Sequence, residues 1–156
     1  VKDNVLGRDG VDTLVNVEHV KFTDGVVAAD VPVTADNALI YRLYQAAFAR
    51  MPDEDGLRFW IGAHNNGQSI TAVADYFLGS PEFSQKYGGA LTNSQYIDLL
   101  YQNILGRAGD ANGLAFWNGL LDNGGATKSA ALIGFAGSPE NVLNTAAHID
   151  HGFFIA

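Results

Sequence analysis

The sequence predicts a mainly α fold: duplicated four-helix units packed into one helical domain, with a short N-terminal β-hairpin. Three observations predict it. Apolar residues recur at helical spacing from about residue 37 onward. A stretch holding both tryptophans of the chain occurs twice, as Arg50-Met51-Pro52-Asp53-Glu54-Asp55-Gly56-Leu57-Arg58-Phe59-Trp60 and as Arg107-Ala108-Gly109-Asp110-Ala111-Asn112-Gly113-Leu114-Ala115-Phe116-Trp117. The residues ahead of it are β-prone and broken by an Asp-Gly turn.

Residues 1–33 read as β. Leu14, Val20 and Phe22 share one parity and Val15 and Val17 the other, as in a buried or bulged strand. Thr23-Asp24-Gly25 reads as a hairpin turn, Val26–Val31 as the returning strand, and Pro32 as its end. A lone hairpin is marginal in water, so this one needs the helical part or an upstream sheet to cover it.

Helical periodicity then takes over, with Asp36 as the expected first N-cap. Leu39, Ile40, Leu43, Tyr44, Ala47 and Phe48 form one apolar stripe. Asp53 would cap a second helix, Ser69 a third, and Ser80-Pro81-Glu82 opens a fourth. The pattern restarts 57 residues later, Tyr44-Gln45 matching Tyr101-Gln102 and Trp60 matching Trp117. After one inserted residue, Gly125, the offset becomes 58, so that Gly79-Ser80-Pro81-Glu82 matches Gly137-Ser138-Pro139-Glu140. This is an internal duplication, with copies at about 37–89 and 94–145 inside a helical domain spanning 34–146. Short helices are unstable alone, so the copies are expected to share a core.

Composition narrows the function. The net charge of −8 and pI of 4.7 argue against nucleic acid and anionic lipid. There is no cysteine, which excludes disulfides and thiolate chemistry. No apolar run is long enough for membrane insertion. The start at Val1, without Met, is that expected of a piece of something longer.

These residues resemble the DUF4214 domain, whose pattern is Tyr-Gln, then Leu-Gly-Arg-x-x-Asp-x-x-Gly-Leu-x-Phe-Trp, then Ser-x-Glu-Phe. The resemblance covers about residues 37 to 145, and the Gly-Arg-x-Pro-Asp-like run is more distantly similar to phycobilisome linker domains. Two departures stand out: Ala49 where the second copy has Gly106, and Asn141 where the first has Phe83, which predicts a loosely anchored last helix. Residues 9–25 look like the stretch that closes RTX calcium β-rolls, though the Gly-Gly-x-Gly-x-Asp repeat itself is missing. The tail at 147–156 resembles a type I secretion signal. Together these likenesses imply an extracellular or cell-surface protein.

Candidate sites follow. Arg50, Asp53, Gly56 and Trp60, with Arg107, Asp110, Gly113 and Trp117, read as a structural motif: an arginine tying a helix end to the next cap, with the neighbouring aspartate as its expected partner, and a tryptophan in the core. An EF-hand reading of Asp53–Gly56 fails, because Met51 and Gly62 would fall at ligand positions. Calcium is the one cofactor suggested, with Asp9, Asp12, Asp24 and Asp30 as ligands. The pair His148-x-x-His151, with Asp150 between, has the ligand types for a metal, but no third ligand is placed. No His-Glu-x-x-His, Gly-x-Ser-x-Gly or P-loop occurs, so the expectation is not an enzyme. The expected function is a non-catalytic structural or interaction module for surface attachment, assembly or self-association. Its partners would be a surface polysaccharide or a second copy met through the N-terminal β edges. The alternatives are an ancillary domain of a secreted polysaccharide- or protein-degrading enzyme, and a calcium-binding module.

Overall fold

The computed structural model describes residues 16–156 except 24 and 151. Asp9, Asp12, Asp24 and His151, and the start of the predicted first strand, lie outside the described residues. Eight α-helices are described: α1 Ala35–Phe48, α2 Glu54–Asn65, α3 Ile70–Leu78, α4 Pro81–Tyr87, α5 Asn93–Leu105, α6 Ala111–Asp122, α7 Lys128–Ala136 and α8 Pro139–Thr145. Three short strands, β1 His19–Lys21, β2 Val26–Ala28 and β3 Phe153–Ile155, form one antiparallel sheet in the order β1-β2-β3. The fold is mainly α.

Helix starts follow local chemistry. Asp53, Ser69, Ser80, Thr92, Asp110, Thr127 and Ser138 each accept a backbone N–H three residues on, satisfying a donor the helix itself cannot. At α1 the expectation was displaced by two residues. Thr34, not Asp36, is the cap, its Oγ1 accepting from Asn37 N–H at 3.2 Å. Asp36 sits in the first turn, where its charge meets the positive helix pole. The ends of α1 and α5 both need a left-handed residue. Gly106 supplies it at φ 65°, whereas Ala49 is forced into it at φ 47°, a conformation that disfavours a Cβ by about 1–2 kcal/mol.

The two sets of helices are equivalent in order and nearly equal in length, and they share one core. Leu43, Ala47, Val73 and Phe77 from the first unit join Ile97, Leu100, Leu132 and Phe135 from the second. α7 lies at the centre, packed on α1, α3 and α5. The last helix is better anchored than its missing phenylalanine implies. Asn141 is buried and donates from Nδ2 to Ala136 O at 2.9 Å, and its own carbonyl accepts from Thr145 Oγ1 at 2.8 Å. A hydrogen-bonded polar anchor replaces an apolar one.

The strands are shorter than the β-rich sequence suggests, and the tail belongs to the sheet. β3 pairs with β2, setting Phe154 opposite Val27. A second core forms where Ala28, Val31, Ile149, Phe153 and Ile155 cover Ala38, Ile40, Tyr41, Leu57 and Ile61. Phe153 lies 5.5 Å from the Tyr41 ring. The helical part therefore supplies the cover that the hairpin needs. Charges pin the same face: Arg58 donates to Asp30 and Glu54 at 2.7 Å each, and His19 Nε2 lies 2.9 Å from Glu54. In the second unit these positions hold Gln95, Asp98, Ala111, Ala115 and Asn118, in place of Ala38, Tyr41, Glu54, Arg58 and Ile61. The sheet can therefore dock on the first unit only.

Because Phe153 is completely buried, Phe153→Ala should lower the unfolding free energy by about 3–5 kcal/mol in a denaturant titration. A free tail would leave it unchanged.

Candidate functional site

The repeated stretch forms a corner in each unit, and its parts superpose by role. Asp53 Oδ1 accepts from Gly56 N–H at 2.8 Å, and Asp110 Oδ1 from Gly113 N–H at 2.9 Å. That backbone hydrogen bond holds each aspartate below the ordinary carboxylate range. The tyrosine hydroxyl of the preceding helix, Tyr44 or Tyr101, lies where a Cβ on Gly56 or Gly113 would stand. Burial raises the pKa of both hydroxyls.

Each arginine closes its corner over the same tyrosine, with Arg50 Cζ 5.3 Å from the Tyr44 ring and Arg107 Cζ 5.2 Å from the Tyr101 ring. The expected aspartate partners are secondary, at 3.4 and 3.9 Å. The main partner is the glutamate that opens the last helix of the unit. Arg50 donates to both oxygens of Glu82 at 2.7 and 3.1 Å, and Arg107 to both oxygens of Glu140 at 2.7 and 2.8 Å. This fork ties α4 to the α1–α2 corner and α8 to the α5–α6 corner. The signal was in the sequence: the Ser-Pro-Glu start recurs along with the arginine, so the two charges repeat together.

The tryptophans are only half-buried, which corrects their assignment to the core. Trp60 packs edge-on against Phe77 at 5.1 Å and Trp117 tilted against Phe135 at 5.4 Å. Their outer sides carry Phe59 and Phe116, which are 64% and 59% exposed. Tyr76, 60% exposed, lies 5.6 Å from Trp60. On α2 the buried residues are Leu57 and Ile61, and Phe59, two positions on from Leu57, stands about 200° around the helix from it, toward solvent.

The candidate metal ligands are not brought together among the described residues. Asp30 is held by Arg58, whose hydrogen bond lowers its pKa. His148 packs on Phe154 at 6.0 Å. Among the described residues no group of three or more His, Asp or Glu could hold a metal ion, and no helix is long and apolar enough to cross a membrane.

The paired forks predict acid sensitivity. Arg50 and Arg107 hold Glu82 and Glu140 below their ordinary pKa of 4.5. A lowered folded-state pKa means that the stabilisation is fully present above 4.5 and is lost as pH falls through the folded value. Thermal unfolding followed by circular dichroism should therefore show the midpoint dropping below about pH 4.5. Glu82→Gln/Glu140→Gln should flatten that dependence, and an unchanged slope would show that the forks carry none of it.

A family model described as "Domain of unknown function (DUF4214)" matches residues 74–145, from the middle of α3 to the end of α8. The match crosses the boundary between the two units. It contains the second corner and leaves α1, α2 and the first corner outside, whereas the motif resemblance runs back to residue 37. No curated protein and no solved structure matches the chain.

Proposed function

We propose that the chain is a non-catalytic extracellular module that attaches its parent protein to a surface polysaccharide. The observation that carries this reading is the exposed phenylalanine kept in register in both units, Phe59 and Phe116. An apolar ring left in water twice is not explained by the core, whereas the charged residues of the same motif are taken up by caps and forks. The extracellular setting rests on the likeness of residues 9–25 to RTX β-roll ends and of the tail to a type I secretion signal. The apolar residues of that tail, Phe153 and Ile155, also have a folding role of their own, so the β-roll likeness is the stronger support. A second DUF4214 copy over the first unit belongs to the same reading and is supported by the matched corners.

Self-association is the second reading. Among the described residues, β1 pairs on one side only, with β2, leaving an edge that another chain could extend.

Co-sedimentation with insoluble polysaccharides and with intact bacterial cells tests attachment, run beside light scattering and with and without calcium. The expected result is retention that falls in Phe59→Ala/Phe116→Ala while its melting temperature stays near the parent value, since exposed positions change stability by about 0.5 kcal/mol or less. Retention unaffected by the double variant, or none at all, counts against attachment. Concentration-dependent mass without retention would favour the second reading.

A further inference from the structure

Gln68, Ala72, Asp75, Tyr76 and Gly79 line an open groove of about 410 Å³ along α3, inside the range of about 300–1,000 Å³ typical of small-ligand sites. We infer that this groove binds a neutral saccharide; the inference rests on the attachment reading and gives it a specific site.

The chemistry of the walls carries the assignment. Tyr76 presents a ring whose orientation is set by Trp60 behind it, tilted 41°. Such a ring stacks on the C–H face of a pyranose, as aromatic side chains combine apolar area with little conformational freedom to lose. The Gln68 side-chain amide and the Tyr76 hydroxyl stand on the groove wall, so both donors and acceptors are on offer to sugar hydroxyls. Asp75 adds a carboxylate whose Oδ1 already accepts from Ser129 Oγ, which fixes its position across the unit boundary. Ala72 and Gly79 keep the floor low. The one ionised group on the groove is negative, which disfavours phosphates and acidic sugars. An ammonium would be attracted by the ring and the carboxylate, but it has no use for the amide donor, and the carboxylate is already shared with a hydroxyl.

Comparison of the units separates these residues from the demands of the fold. At the positions of Gln68, Asp75 and Tyr76 the second unit has Ala126, Ile133 and Gly134. The Trp117 ring lies 2.9 Å from where a Cβ at Gly134 would be, so it fills space that the Tyr76 side chain takes up in the first unit. The helix forms with other residues at these positions; Asp75 has a use in the fold through Ser129, whereas the Gln68 side chain and the outer face of Tyr76 point to a use outside it.

Saturation-transfer NMR and calorimetry with short neutral oligomers of glucose, galactose, mannose and N-acetylglucosamine test the site. The expected result is binding to at least one of them, weakened at least about tenfold in Tyr76→Ala and in Gln68→Ala, with Leu143→Ala, an exposed position on α8, unchanged. Circular dichroism of each variant checks that the fold is kept. Equal affinity in Tyr76→Ala, or binding of an alkylammonium salt in preference to every sugar, overturns the groove assignment. So does a wild-type chain that binds none of the sugars. In that case the retention assay shows separately whether attachment itself survives, because a chain retained through Phe59 and Phe116 would still be an attachment module without this groove.

Discussion

In both units a tyrosine hydroxyl stands directly against the glycine at the third position of a helix, and the remaining corner residues are arranged around that contact. Tyr44 is held between Phe48 at 5.5 Å and Phe77 at 4.9 Å, with the Arg50 guanidinium over its ring. Tyr101 is held against Phe135 at 4.9 Å, with Arg107 over it. A ring packed in this way cannot swing aside, so the glycine has no larger substitute. The Asp cap and the Arg–Glu fork then fix the angle between successive helices. An exposed ion pair adds little stability alone, but a bidentate fork that also stacks on a buried ring restricts geometry more than an isolated pair does.

With that corner repeated, the differences between the units become informative. Where the first unit has Tyr41, Arg58 and Ile61, the second has Asp98, Ala115 and Asn118, and only the first is covered by the sheet. Where the first has Tyr76, the second has Gly134 and lets its tryptophan settle further in. The repeat explains the architecture, and the departures from it locate the sheet and the candidate ligand groove.

Much of this was legible in the sequence because it is local. The helices, the caps at Asp53, Ser69, Ser80, Asp110 and Ser138, and the duplication depend on residues within a few positions of each other or on a fixed offset. What was not legible depends on tertiary context. The role of Phe153 depends on a strand pairing across more than a hundred residues. Glu82 was recognised only as a helix-start residue, because its partner Arg50 lies 32 positions earlier, in the corner between α1 and α2. The sheet-docking face could have been found by comparing the copies at 38, 41, 58 and 61, where apolar or paired residues in one copy face polar or small ones in the other. The twin motif was read as structural and candidate ligands were sought in the β lead-in and the tail, whereas the exposed aromatic surface beside the motif offers chemistry for a ligand.

The central claim is that the twin stretch is a corner of the fold and not a site. Urea unfolding of Gly56→Ala and Gly113→Ala tests it most directly, with Gly62→Ala and Gly119→Ala as controls, since a Cβ at either control position meets nothing within 4 Å. The account predicts a loss of about 1–3 kcal/mol for each corner variant and a gain of up to about 1 kcal/mol for each control. Corner variants as stable as the parent chain would contradict it.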